Sequence, residues 1–227
     1  GARVRRVFPT QHLTHFDPFV LLDEFFVEPP AGFPSHPHKG FEAVTYMIEG
    51  GFHHKDNFGN DTIVLAGGVQ RFTAGKEIVH SELPGMSGLN RGLQLWIRLS
   101  SKLRDVKSDY QQVEPSAIPE EKLDGASIRI IVGRGSPVKL RTEVVYLDVK
   151  LPPKKEFVYN INSKFNMMLY VLEGALGLGK SQVGRGEAAL LTTGERVEVA
   201  AEEKARLALI GGRPHGETIV LRGSFVY

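Results

Sequence analysis

Two pairs of residues in this chain have the types and spacing of a metal site: His36-Pro37-His38 and His80-Ser81-Glu82. In an extended chain, side chains at i and i+2 leave the same face, about 6.6 Å apart at ~3.3 Å rise per residue. Two such dyads on facing strands can aim three imidazoles and one carboxylate at a single ion. Those donors suit a first-row transition metal, whereas calcium and magnesium take oxygen ligands. A lone His-x-His beside Gly32-Phe33-Pro34 would read as an idle polar loop; the second dyad is what makes the pair a candidate site. Pro37 cannot donate to a β-ladder, so its dyad belongs at a strand start or sheet edge, the kind of place where a ligand enters a barrel. Ser81 lies between two donors and faces the opposite way, so no Ser-His-Asp arrangement can be argued.

The elements that must carry these residues are short strands. Turn signals recur at Pro29-Pro30-Ala31-Gly32, Glu49-Gly50-Gly51, Asn57-Phe58-Gly59-Asn60, Gly67-Gly68, Pro84-Gly85 and Gly92. Between them, 43–48, 62–65, 69–73 and 93–99 read as strands, and no apolar stripe of helical period precedes Ser100. The polar stretch 101–127, with Pro115 and Pro119, reads as connecting chain with a short helical turn at 119–122. Strands resume at 128–132, 144–149, 168–172, 188–191 and 207–210. This pattern predicts an all-β chain of sandwich or barrel type.

The second half echoes the first. Tyr46-Met47-Ile48-Glu49-Gly50 returns as Tyr170-Val171-Leu172-Glu173-Gly174, and 68–75 has a counterpart at 186–194. Two echoes in order imply duplicated β domains. We place an N-terminal metal-binding domain at 1–112, a connector at 113–140 and a C-terminal domain at 141–227. The offset of the first echo maps His36 and His38 onto Asn160 and Asn162, and Glu42 onto Asn166. The stretch matching His80 and Glu82, around 199–203, holds no histidine. Metal chemistry therefore belongs to the first half.

With these motifs in view, His36-Pro37-His38-Lys39-Gly40-Phe41-Glu42, Thr73-Ala74-Gly75, Val79-His80-Ser81-Glu82-Leu83-Pro84 and Gly92-Leu93-Gln94-Leu95-Trp96 together resemble the pirin family. So do 16–23, Gly211-Gly212-Arg213-Pro214 and Gly223-Ser224-Phe225-Val226. The resemblance implies two tandem cupin barrels, each a double-stranded β-helix or jelly roll. It also implies iron(II) held in the first barrel by His36, His38, His80 and Glu82, and no metal in the second. Many cupins take their carboxylate from the position of Glu42; the pirin pattern takes it from Glu82 and leaves Glu42 a supporting acid. Ala66-Gly67-Gly68 departs from the Pro-Gly-Asp-like turn of cupins, and Lys39 and Lys76 stand where pirins often carry arginine. The activity implied is that of a quercetin 2,3-dioxygenase, with Glu82 as both ligand and catalytic base. The implied alternative is a non-enzymatic, iron-dependent partner of a transcription factor or metabolic enzyme; a storage or purely structural cupin is a third reading.

Four protein donors around a six-coordinate ion leave two vacancies, enough for an ionised enol or phenol oxygen and for dioxygen without a keto-acid cosubstrate. A small planar aromatic or enol substrate is expected, with Phe33, Phe41 or Trp96 as pocket walls. The same donors admit Mn, Co, Ni, Cu or Zn, and ordinary imidazoles would release the ion as pH falls through about 6.5. Glu42 or Gln94 can orient a histidine ring from its far nitrogen. His53-His54-Lys55-Asp56 reads as a polar hairpin loop or a pocket rim, and His12, His15 and His215 as structural or surface residues.

Composition removes other classes. The chain has 227 residues, net charge +2 and no cysteine. Disulfides, Cys-zinc sites and thiol catalysis are excluded, and a reducing cytoplasmic location is compatible. The scattered basic residues predict no direct nucleic-acid contact, and no apolar run approaches the ~20 residues of a membrane span. A monomer is expected. No charged-then-apolar leader opens the chain, and a start at Gly1 rather than Met implies residues upstream.

Overall fold

The computed structural model describes residues 1–192 and 194–227 and divides into two compact units. The first comprises Gly1–Ile118, Pro137–Thr142 and His215–Tyr227; the second comprises Pro119–Ser136 and Glu143–Pro214. The architecture is almost entirely β, in two domains, and the last thirteen residues cluster with the first unit rather than with the 141–227 stretch that precedes and includes them in sequence.

In the first unit the strands are β1 (Ala2–Phe8), β2 (Phe19–Val27), β3 (Phe33–His38), β4 (Phe41–Glu49), β5 (Gly51–Asp56), β6 (Asp61–Leu65), β7 (Val69–Ala74), β8 (Ile78–Pro84), β9 (Asn90–Arg98) and β10 (Asp109–Val113). Six form one sheet in the order β1-β2-β9-β4-β7-β10 and four form another in the order β3-β8-β5-β6. Strands buried on both faces read as continuous apolar runs: β2, Phe-Val-Leu-Leu-Asp-Glu-Phe-Phe-Val, is buried at every position. Its two acids survive there because Arg6 holds Asp23 and both Arg5 and Arg91 hold Glu24.

The second unit contains β11 (Glu120–Leu123), β12 (Ala126–Val132), β13 (Val144–Leu151), β14 (Lys155–Asn160), β15 (Asn166–Glu173), β16 (Ala175–Leu178), β17 (Ser181–Gly184), β18 (Ala188–Leu191), β19 (Arg196–Ala201) and β20 (Ala205–Gly212). Its sheets run β11-β12-β13-β20-β15-β18 and β14-β19-β16-β17, the same arrangement again except that the sixth strand of the larger sheet, β11, joins at β12 where β10 joins at β7. Where the helical turn was expected at 119–122, Glu120–Leu123 is instead an exposed strand pairing with β12, and a short 3-10 turn falls at Pro115–Ala117. A polar strand on a sheet edge lacks the apolar alternation by which strands are read.

Two further short strands, β21 (Leu221–Arg222) and β22 (Phe225–Val226), form a hairpin in the first unit. It explains the glycine of His-Pro-His-Lys-Gly. Gly40 has φ +89°, and a Cβ there would fall on the carbonyl oxygen of Val226, whose own N–H donates to Lys39 O at 2.9 Å. Among the described residues no helix is long and apolar enough to cross a membrane.

Candidate metal centre

β3 and β8 are hydrogen-bonded neighbours, and their register sets His36 directly opposite His80 and His38 opposite Ile78. A register irregularity between Phe33 and His36 then brings Glu82 opposite Phe33. The three imidazoles converge: ring centroids are 4.5 Å apart for His36 and His38, 4.6 Å for His36 and His80, and 4.9 Å for His38 and His80. Their donor atoms all lie within 4.8 Å of one another. Glu82 joins His80 in a second such group with His54, at the same limit.

Each ring is fixed through its Nδ1. His36 Nδ1 lies 2.7 Å from Pro34 O, His38 Nδ1 lies 3.3 Å from Ser224 O, and His80 Nδ1 lies 3.3 Å from His54 Nδ1. All three Nε2 atoms are thereby left to the centre, and that of His80 is buried with no hydrogen-bond partner. An orphaned buried nitrogen is costly unless something binds it. Phe72 stacks on His38 at 5.5 Å and Trp96 meets it edge-on at 4.9 Å, so the ring is held on two sides.

Burial, reinforced by the neighbouring His36, pushes the pKa of His38 down to about 3. Burial, with His38, His36 and His54 around it, pushes His80 down to about 2. Both rings are neutral across the ordinary pH range, so the expected release near pH 6.5 does not come from them. Glu82 moves the other way: burial raises it to about 7, against hydrogen bonds from Gln94 and Gln70. Gln70 Nε2 donates to Oε1 and Gln94 Nε2 to Oε2 at 2.9 Å. Trp96 Nε1 donates to Gln94 Oε1 at 3.0 Å, which turns the amide so that its NH₂ faces the carboxylate. The donor types, the neutral rings and the orphaned Nε2 fit a transition-metal ion.

A cavity of about 240 Å³ opens beside the imidazoles, walled by Leu21, Phe25, Phe33, Trp96 and Leu221. His36, His38, Glu82 and Gln94 also line it, as does Arg6, paired with Asp23. Of the aromatic walls expected, Phe33 and Trp96 are present; Phe41 is fully buried behind, stacked on Trp96 at 4.1 Å.

The two expected ring-orienting residues have other duties. Gln94 serves Glu82, and Glu42 is buried away from the imidazoles, accepting from Thr73 Oγ1 at 2.9 Å and Arg141 N at 2.8 Å. Burial raises the pKa of Glu42, opposed by those bonds and by Arg71. His53 is a partly exposed partner of Asp61, as a polar loop implies, but His54 is fully buried against His80. His12 and His15 lie away from the centre, and His215 bonds Arg98 O at 2.9 Å. Sequence reasoning missed Gln70 and Ser224, and placed His54 and Asp56 only in a polar loop or pocket rim. For His54-Lys55-Asp56 the signal was present: the same i, i+2 spacing as the two dyads.

Comparison with known proteins adds the following. The Pirin family model matches residues 1–97, and the Pirin C-terminal cupin domain matches residues 146–227. A pirin-like protein of Solanum lycopersicum is 43% identical over 235 residues, spanning 100% of this chain and 81% of its own. Pirin of Homo sapiens is 36% identical over 237 residues, spanning 100% and 82%. Among solved structures, a quercetin 2,3-dioxygenase from Acinetobacter baumannii superposes with TM-score 0.92 at 29% identity, covering 98% of this chain and 84% of that one.

Proposed function

This chain belongs to the pirin family, and from that premise we propose that it is a metal-dependent dioxygenase of the quercetin 2,3-dioxygenase type. His36, His38 and His80 hold the ion through Nε2, with Glu82 as fourth donor. Iron(II) is the proposed metal; Mn, Co, Ni, Cu and Zn accept the same donors. The observation that carries the reading is the partnerless Nε2 of His80 where three imidazoles meet beside an apolar cavity. Similarity to the Acinetobacter enzyme supports the reaction type.

When bound, the ion supplies Lewis acidity that favours an enol's anion and the redox chemistry that dioxygen demands. The chain's own residues do the rest. Trp96, Phe33 and Phe25 exclude water and press on the faces of a planar aromatic. At about 240 Å³ the cavity is smaller than the ~300–1,000 Å³ of a drug-sized site, so it takes the reacting enol ring and leaves further rings outside. Glu82 is the base. Burial, which raises its pKa to about 7 in the metal-free chain, favours holding a proton once one has been accepted. Gln70 and Gln94 each occupy one lone pair of its two oxygens, leaving others to take the proton of the substrate hydroxyl.

Oxygen uptake tests the proposal. Iron-loaded wild type should consume dioxygen with flavonols, and Glu82→Gln should fall about 10²–10⁴-fold in turnover. Undiminished turnover in E82Q would remove the base. A wild type that takes up iron yet consumes no oxygen with any flavonol would move the reading to iron-dependent regulation of a protein partner.

A further inference from the structure

Asp56 and His54 lie outside the proposed donor set, yet they are wired to it. The side chain of Asp56 is wholly enclosed. Its Oδ1 accepts from the backbone N–H groups of Phe58 at 2.9 Å and Asn60 at 3.1 Å, and its Oδ2 accepts from Asn60 Nδ2 at 2.8 Å. A carboxylate so surrounded by donors has no proton to give. His54 Nε2, 3.1 Å from Oδ2, must therefore donate. The His54 side chain is wholly enclosed, with its one N–H committed to Asp56, so its Nδ1 is a bare lone pair. That lone pair lies 3.3 Å from Nδ1 of His80. Two facing ring nitrogens bond only when one carries the hydrogen, so the hydrogen sits on His80. Tyr110 stacks on His54 at 4.2 Å and 16°, and its hydroxyl is tied to Thr62 Oγ1 at 2.7 Å, which holds the intermediate ring in its plane.

We propose that Asp56, acting through His54, sets the tautomer of His80, so that the Nε2 turned toward His36 and His38 is the nitrogen without a proton. His54 and Asp56 are positioning residues. Their use rests on the metal reading above, but the tautomer they impose is readable with no metal present. A second role for the pair follows from the same wiring: the carboxylate keeps the imidazole electron-rich, which strengthens it as a donor.

The test is nitrogen NMR of the full chain labelled with ¹⁵N-histidine and free of metal, together with a zinc(II) competition titration. His80 should show a protonated Nδ1 and a bare Nε2. In Asp56→Asn the side-chain oxygen stays with the two backbone N–H groups and the new NH₂ faces His54. That reverses the direction of the chain and moves the His80 proton to Nε2. Zinc affinity should fall at least about tenfold. His54→Phe keeps the stack on Tyr110 and removes the acceptor; His80 should then show mixed tautomers and a smaller loss of affinity, and this variant decides the matter if Asp56→Asn does not fold. A wild-type His80 protonated at Nε2 would overturn the proposal, as would unchanged His80 signals in Asp56→Asn. So would a second zinc equivalent that His54→Phe abolishes, since His54 would then be a ligand. The expected tautomer in a wild type that takes up no zinc would keep the relay and remove the metal reading instead.

Discussion

Tyr46 on β4 and Tyr170 on β15 stand at the same place in two sheets that share a five-strand order, β1-β2-β9-β4-β7 and β12-β13-β20-β15-β18, and the ladders extend the match residue by residue. His53 pairs Leu83 as Gly177 pairs Ala200; His36 pairs His80 as Tyr159 pairs Val197; Thr45 pairs Gln94 as Leu169 pairs Leu209. Followed inward, His36, His38, His80 and Glu82 correspond to Tyr159, Ile161, Val197 and Val199. His54 and Gln94 correspond to Leu178 and Leu209. All six counterparts belong to one apolar cluster of the second unit. One scaffold thus encloses a polar constellation in one unit and hydrocarbon in the other. Buried polar groups cost free energy unless each finds a partner, and in the first unit most do; His80 Nε2 and Gln70 Oε1 are exceptions within the constellation. A deficit at these two atoms, inside a fold that the second unit fills with Val, Leu and Ile, marks where function has displaced packing.

The largest expected contrast comes from truncating one residue in each interior. His38→Ala should abolish stoichiometric metal uptake, because one of the imidazole donors is gone. Leu209→Ala should leave metal content unchanged and lower stability by about 2–5 kcal/mol, the cost of a cavity in a packed core. Metal analysis and denaturant titration of the two variants check both arms. A full metal equivalent in H38A, or metal lost in L209A, would break the division of labour.

Much of that contrast was legible in the chain, and the misses have physical causes. The dyads could be read because a strand's period is two and two donors per face leave a signature. The strands and the duplication followed from turn spacing and the repeated Glu-Gly. The first dyad, however, was mapped onto Asn160 and Asn162, and the ladders move it to Tyr159 and Ile161. A slip of one residue exchanges faces: Asn160 and Asn162 are exposed, while Tyr159 and Ile161 pack on the core. A change in loop length between β3 and β4 relative to β14 and β15 causes the slip, and no motif marks it. Ser224 was invisible for another reason: it acts through its carbonyl, which every residue has. Gln70 gave no signal and Gln94 was assigned to a histidine rather than to Glu82, because an amide declares its partner only when the fold supplies one.

A smaller effect is expected from pH. Glu82 has its ordinary value of 4.5 raised to about 7 by burial, so in the metal-free protein it carries a proton below pH 7. Coordination as carboxylate must release that proton, so metal affinity should fall up to about tenfold per pH unit below 7 and level off above it. His38 and His80 release nothing in that window, their values being about 3 and about 2. Titration calorimetry in buffers of different ionisation enthalpy should count about one more proton released at pH 6 in wild type than in Glu82→Gln. Equal release from the two proteins would mean that Glu82 is already ionised before the metal binds. For stability the sign is opposite: a raised carboxyl contributes stability fully present below 4.5 and lost as pH rises through about 7.

The smallest expected effect is the most direct trial of the comparison: giving the first unit the second unit's residues. Gln70 corresponds to Ala189, so the exchange is Gln70→Ala with Glu82→Val and Gln94→Leu. Removing Glu82 alone would strand two amides; removing all three takes out donors and acceptor together, and such replacements are close to neutral or stabilising. The bond that Trp96 Nε1 makes to Gln94 is also lost, but Trp96 borders the cavity, where water can take that N–H. The metal-free triple variant should therefore unfold within about 1 kcal/mol of wild type, while oxygen uptake disappears. A loss of several kcal/mol would mean that the glutamine–glutamate cluster holds the first unit together rather than being carried by it. The two interiors would then differ in how they fold, not only in what they bind.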